Sequence, residues 1–187
     1  MSQRFNIIAA RLSGLLVVQR KPIEDSRGFF TRFFCSETFQ ELGLTKPIQQ
    51  INHSLTRKKG AVRGMHFQYT PYAECKIVSC LRGRIFDVAV DIRKGSPTFL
   101  QWHGEELSED NFKTMVIPEG FAHGFQTLTE DCEIFYLVSA PYMGAYEGAI
   151  NPGDPIVSIK WPLNVSQLSD KDDSTPLVGQ DFRGVEI

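Results

Sequence analysis

Two histidines occupy settings in which an imidazole could work on a substrate. The first lies in Arg63-Gly64-Met65-His66-Phe67-Gln68. If this stretch is extended, Met65, Phe67 and Tyr69 face one way while Gly64, His66 and Gln68 face the other. A polar stripe backed by an apolar one suits the wall of a barrel with a wet interior, where imidazole can exchange a proton near neutral pH. The hexapeptide alone also fits a core histidine bonded to a neighbour. The second is His123, in Pro118-Glu119-Gly120-Phe121-Ala122-His123-Gly124. Other polar groups interrupt apolar runs: Lys76 in ECKIVSC, Asp87 and Asp91 in RIFDVAVDIR, and Tyr136 in EIFYLVS. A lysine in such a run must snorkel or be paired. A His, a Lys, a Tyr and carboxylates gathered from several strands would make a proton-transfer site. His53 and His103 carry no signature and read as structural or exposed.

The Pro-x-Gly-x-x-His turn ending at His123 resembles the second motif of cupins, where that histidine is often a metal ligand. Metal-binding cupins pair it with His-x-His and a Glu. Here the matching stretch is His66-Phe67-Gln68, so one imidazole is missing. His66, Glu74 and His123 could supply three ligands, but the departure favours a site without metal, with His123 binding substrate or propping up the turn.

Positioning these groups falls to short β-rich segments. Strands are expected at 14–19, 29–35, 47–54, 61–68, 75–81, 84–92, 113–117, 123–128 and 132–139, with turn signals between them. Many short strands at near-regular spacing mean an all-β sandwich or barrel, and no room remains for the helical crossovers of a parallel sheet. One short helix is expected at Ser36–Leu42, with Ser36 as N-cap and Gly43 as stop. From Tyr142 onward the chain reads as ordered loops packing across the barrel, then a polar tail at about 177–187.

The chain has 187 residues, enough for one domain, with 42 % apolar and 22 % charged residues. A net charge of −2 argues against a nucleic-acid partner, which would call for a basic face. The start lacks the apolar core of a signal peptide and is too short to span a bilayer, so a cytoplasmic location without membrane contact is expected. Cys35, Cys75, Cys80 and Cys132 form no CxxC pair and read as free core residues.

The runs RGMHFQ, GRIFDVAVDIRKGSPTF, IPEGFAHGFQTL and the closing DPIVSIKWP with LSDKD resemble the dTDP-4-dehydrorhamnose 3,5-epimerases, from about Arg11 to about Pro176. The resemblance implies a cupin-type jelly roll, an isomerase of nucleotide 4-keto sugars, no cofactor, and a homodimer in which strands of about residues 1–25 are exchanged. It implies His66 as the base, Tyr136 as the acid on the opposite face of the sugar, and Lys76 beside the C4 oxygen. Asp172 would orient the base, with Asp87 a second candidate near His66. Arg27, Gln50, Asn52, Arg63, His123, Tyr142, Glu147 and Lys171 would bind substrate, Tyr142 by stacking on the thymine. Arg32 and the run Asn151–Pro155 depart from the family's usual wording.

Hydrogens on C3 and C5 of a 4-keto sugar are acidic because the carbanion delocalises into the ketone. A carboxylate on one ring nitrogen of His66 would set its tautomer, and Lys76 would stabilise the enolate oxygen. Three other readings compete: an epimerase acting at C3 or C5 only, a non-catalytic sugar-binding cupin, and a metal-dependent cupin dioxygenase or isomerase.

Overall fold

A computed structural model describes residues 4–187. Its strands are β1 (Phe5–Ala9), β2 (Leu16–Arg20), β3 (Ile23–Asp25), β4 (Gly28–Phe30), β5 (Gln50–Thr56), β6 (Val62–Gln68), β7 (Lys76–Arg82), β8 (Arg84–Asp91), β9 (Trp102–Ser108), β10 (Lys113–Ile117), β11 (Phe121–Thr127), β12 (Cys132–Val138) and β13 (Glu147–Ala149), with short helices α1 (Ser36–Glu41) and α2 (Asp170–Asp173). One sheet runs β1-β2-β10-β7-β12-β5 and the other β13-β6-β11-β8-β9, with antiparallel pairing throughout; β3 and β4 form a separate hairpin. This is the expected all-β jelly roll of cupin type, with few and short helices.

Alternation along the strands sorts the side chains into three apolar layers. Val78, Met115, Ile117 and Ile134 of the first sheet meet Ile85, Ala89, Leu107 and Phe125 of the second between the sheets. Phe39 of α1 and Leu44 cover Val18, Ile77, Val116 and Leu137 on the outer face of the first sheet. Ile150, Val157 and Val185 cover Met65, Phe67, Val88 and Val90 on the outer face of the second. Burying each such side chain contributes about 1.5–3 kcal/mol. The polar groups among them must therefore be paired or face a cavity.

Several boundaries differ from expectation. Only Phe29 and Phe30 of the 29–35 run join a ladder, because Phe33 and Phe34 turn away to pack on Phe135 and Phe39. Cys35, not Ser36, is the N-cap of α1, and no side chain caps the helix; it lies on the outer sheet face, where docking of Phe39 holds it. Gly43 stops the helix at φ +100°. Strands β1, β3, β9 and β13 lie outside the expected segments: FNIIA is an edge strand with mostly exposed residues, WHGEELS lacks clean alternation, and β3 and β13 are only three residues long. Both β13 and α2 interrupt the region expected as loops. The tail is tied down, with Val185 bridging to Arg93 and Phe182 stacked on Phe99.

Asp91 proves structural. It is buried at the end of β8, and its carboxylate accepts from Arg93 (2.7 Å), Ser96 (2.6 Å) and Thr98 (2.6 Å), closing the turn before β9. Burial alone would raise its pKa, but the hydrogen bonds from Arg93, Ser96 and Thr98 prevail and hold it at about 2. A depressed carboxylate stabilises the fold above its unfolded pKa and loses that contribution as pH falls through the folded value. The loss from about pH 4 to about pH 2 amounts to about 2 kcal/mol. Denaturant titrations across that range are expected to show a shallower acid slope in Asp91→Asn than in the wild type. Equal slopes would remove Asp91 from the account.

Candidate active site

Residues directly opposite in an antiparallel ladder share a face. His66 on β6 is opposite His123 on β11, which is opposite Ala89 on β8, a member of the layer between the sheets. Both imidazoles therefore face the interior. Tyr136 on β12 is opposite Val78 and Asn52, and Lys76 lies two residues from Val78, so these three face inward from the other sheet. At this end of the barrel the interior is open. A cavity of about 650 Å³ is lined by Arg63, His66, Lys76, His123, Tyr136, Lys171 and Asp172, among others. A neighbouring one of about 360 Å³ shares His66, Lys76 and Tyr136 and adds Gln50, Asn52, Gln68, Glu74, Tyr142 and Glu147.

His66 Nε2 lies 2.6 Å from Asp172 Oδ1, so the carboxylate holds the proton on Nε2 and leaves Nδ1 with its lone pair. Asp172 is the buried residue of α2, whose N-cap Ser169 accepts from the Asp172 backbone N–H. The second oxygen accepts the Gly64 N–H at 3.3 Å. Burial pushes the Asp172 carboxyl upward, but bonding to His66 and Gly64 holds it below the ordinary range, so it stays ionised as an orienting group. Glycine is required at position 64. Its φ is +122°, and a Cβ there would lie 2.5 Å from the Gly124 Cα and 2.7 Å from the His123 carbonyl oxygen. That close approach of β6 to β11 sits at a register shift beside His123.

In the same cavity as His66, burial, and then the charge of Glu74, push the Tyr136 phenol above its ordinary pKa, against a smaller opposing effect of Arg63. The phenol is therefore protonated at neutral pH and fit to act as an acid. Lys76 has a largely buried side chain, pairs with Glu74 at 3.1 Å and donates to the His66 carbonyl oxygen at 3.3 Å. Arg63 is fixed by Nε donating to Thr56 Oγ1 at 2.8 Å. At the rim, Glu147 accepts from Lys171 (2.6 Å) and the Tyr142 hydroxyl (2.9 Å), and Gln50 Oε1 accepts the Tyr142 N–H at 3.0 Å. The exposed Tyr142 ring stands at the mouth.

Eleven of the twelve expected site residues thus converge: His66, Lys76, Tyr136 and Asp172 with Gln50, Asn52, Arg63, His123, Tyr142, Glu147 and Lys171. Arg27 does not join them. It sits in the turn of the β3–β4 hairpin, with its side chain 87 % exposed and paired to Asp25. Asp87 is corrected as well: its Oδ1 lies 2.7 Å from His123 Nε2, so it serves that imidazole and not His66. Sequence reasoning passed over Gln68 as a site residue and weighed Glu74 only as a metal ligand. Gln68 donates to Glu74 at 3.0 Å and accepts the Met143 N–H at 2.6 Å, joining β6 to the Tyr142 loop. The signal was available, since Gln68 shares the phase of His66 and Glu74 that of Lys76.

The three groups weighed as metal ligands are each engaged elsewhere: His66 with Asp172, His123 with Asp87, and Glu74 with Lys76 and Gln68. Among the described residues, no group of three or more His, Cys, Asp or Glu is arranged to hold a metal ion. His53 pairs with Glu133, and His103 lines neither cavity. The cysteines are free, and burial raises the Cys75 and Cys80 thiols to about 12, which keeps them inert. No helix among the described residues is long and apolar enough to cross a membrane.

Comparison with known proteins agrees with this geometry. The family model described as dTDP-4-dehydrorhamnose 3,5-epimerase matches residues 9–180. The Salmonella typhimurium protein of that name is 44 % identical over 176 residues, covering 93 % of this chain and 96 % of its own. A Bacillus anthracis dTDP-4-dehydrorhamnose 3,5-epimerase, solved with TDP and PPi bound, superposes with a TM-score of 0.89 at 37 % identity over 93 % of this chain and 99 % of its own. A Legionella pneumophila dTDP-6-deoxy-D-glucose-3,5-epimerase, in complex with dTDP-4-keto-L-rhamnose, gives a TM-score of 0.88 at 42 % identity over 92 % of each chain. Likeness of this extent, over almost the whole jelly roll that carries the cavity, means that the chain belongs to the dTDP-4-dehydrorhamnose 3,5-epimerase family.

Proposed function

We propose that this enzyme epimerises C3 and C5 of a dTDP-4-keto-6-deoxyhexose by proton transfer between His66 and Tyr136 across the cavity. His66 Nδ1 removes the hydrogen next to the ketone, and the C–H electrons move onto the C4 oxygen, where the Lys76 ammonium offsets the enolate charge. Tyr136 then returns a proton to the opposite face of the same carbon, leaving a phenolate and an imidazolium that are reset with solvent. Repetition at the second carbon completes the reaction. The redox level never changes, so the chemistry balances without an oxidant or reductant.

The observation that carries this reading is the His66–Asp172 contact at 2.6 Å on one sheet, facing a phenol raised in pKa on the other. The two sheets supply the two faces that inversion needs. The ligands in the related structures support a nucleotide-sugar substrate, with Arg63 and Lys171 as cationic contacts, His123 as a further polar contact and Tyr142 beneath the base. Gln50, Asn52 and Glu147 complete that set.

A cytoplasmic homodimer of single-domain subunits fits the same reading. The β3–β4 hairpin exposes Ile23, Phe29 and Phe30, and β5 exposes Ile51 and Leu55. Such apolar surface suits a partner subunit, and docking of the β3–β4 hairpin there would carry Arg27 to the partner's cavity. The free cysteines suit a reducing compartment.

Incubation with dTDP-4-keto-6-deoxyglucose in D₂O, followed by proton NMR, tests the reaction. Loss of both the C3 and C5 signals is expected. Exchange at C3 alone would make this a single-carbon epimerase, and exchange at neither would overturn the proposal.

A further inference from the structure

We propose that Glu74 is a positioning residue of the epimerisation reaction: its carboxylate fixes the Lys76 ammonium and presents the negative charge that the Tyr136 phenol faces. The inference rests on the assignment of Lys76 and Tyr136 made above and extends it to the residue that controls both.

The geometry is specific. Glu74 Oε1 lies 3.1 Å from Lys76 Nζ, and the two side chains are only 10 % and 12 % exposed. The other oxygen, Oε2, accepts Gln68 Nε2 at 3.0 Å, and the same amide nitrogen donates to the Tyr72 and Pro141 carbonyl oxygens. Each carboxylate oxygen therefore has its own donor, and the residue is held from the strand that carries His66. Neighbouring backbone is fixed too, since the Cys75 N–H donates to Ser139 Oγ at 2.8 Å. Glu74 cannot follow Lys76 if the ammonium moves. It restrains the cation at one point, within reach of the His66 carbonyl oxygen.

A buried ion pair is a poor device for stability, because desolvating both charges costs about as much as their attraction returns. Placing one in the wall of a catalytic cavity calls for another reason. A lysine there stabilises an enolate, but positive charge in this wall also favours the phenolate of Tyr136, as Arg63 does, and so weakens the acid that completes inversion. A carboxylate beside the lysine opposes that second effect while the ammonium keeps its hydrogen-bonding capacity. Burial is the larger cause of the raised Tyr136 pKa, Glu74 adds to it, and Arg63 opposes it. The other charged or titratable groups lining the two cavities are His66, Lys76, His123, Lys171 and Asp172, with Glu147, Arg57 and Tyr142 at the rim.

The test is a graded charge series, Glu74→Asp and Glu74→Gln, read in D₂O over a range of pH beside wild type and Tyr136→Phe. Glutamine preserves the shape and an acceptor oxygen but removes the charge; aspartate draws the charge back. The alkaline limit of inversion is expected to fall in the order Glu, Asp, Gln. The full shift should be on the order of half a pH unit, since charge effects in a partly wet cavity are damped. Turnover at neutral pH is expected to fall several-fold in Glu74→Gln with KM nearly unchanged. A purely structural residue would alter thermal stability without moving the alkaline limit. Should Glu74→Gln fail to fold, Glu74→Asp must still show a smaller downward shift. Unmoved limits in the variants that fold, with inversion lost in Tyr136→Phe, would overturn the role of Glu74 alone. Retention of inversion in Tyr136→Phe would overturn the underlying assignment and this inference together.

Discussion

His66→Asn is expected to abolish deuterium exchange at both carbons, with a fall of about 10³-fold or more, within the upper range for loss of a general base. Asparagine is shorter than histidine and places no atom at the Nε2 position that meets Asp172, so the orienting contact is lost together with the lone pair at Nδ1. Among the described residues, no other group lining the cavity is placed to take over. His123, the nearest imidazole in register, is bonded through Nε2 to the buried Asp87 and lies on another strand. Lys76 is paired with Glu74. Binding of dTDP, measured by calorimetry, should change little, because the nucleotide contacts proposed here lie on other residues. A variant that exchanged deuterium at the wild-type rate would show that His66 is not the base.

Tyr136→Phe should separate two events that the wild type couples. Abstraction by His66 needs no phenol, so exchange of the C3 and C5 hydrogens is expected to continue. Inversion needs a proton on the far face and should fall about 10²-fold, the lower range for losing a positioned acid. The observable is the ratio of deuterium incorporated with retention to product of inverted configuration. The separation follows from the architecture: the proposed base, His66, is on β6 of one sheet and the proposed acid, Tyr136, on β12 of the other, with the cavity between them. The raised pKa of Tyr136, caused first by burial and then by Glu74, places loss of inversion in the wild type above the ordinary phenol value as pH rises. Equal loss of exchange and inversion in Tyr136→Phe would make the phenol a participant in abstraction.

Legibility of the site varied with how local its cause was. Strand alternation alone put His66 and Gln68 on one face and Met65 and Phe67 on the other, and that division holds, with Met65 and Phe67 in the outer layer. Asp172 is 106 residues from His66, and no local pattern links them. Its place was implied only by family resemblance, as were those of Tyr142, Glu147 and Lys171. Asp87 shows the limit of strand-phase reasoning. It shares an inward phase with other polar residues, but the β8–β11 pairing delivers it to His123. Asp91, in that same phase, closes a turn instead.

What the sequence determined by itself was the class of the fold and the kinds of chemistry available. Both follow from alternation, turn residues and side-chain type, which act over a few positions. Tertiary structure alone decided which carboxylate meets which imidazole, that Arg27 stands apart from the cavity of its own chain, and that Glu74 pairs with the lysine in a wall shared with the phenol. Those outcomes depend on strand register and sheet closure, which bring together residues far apart in the chain. A change of one residue in register would turn every inward group outward.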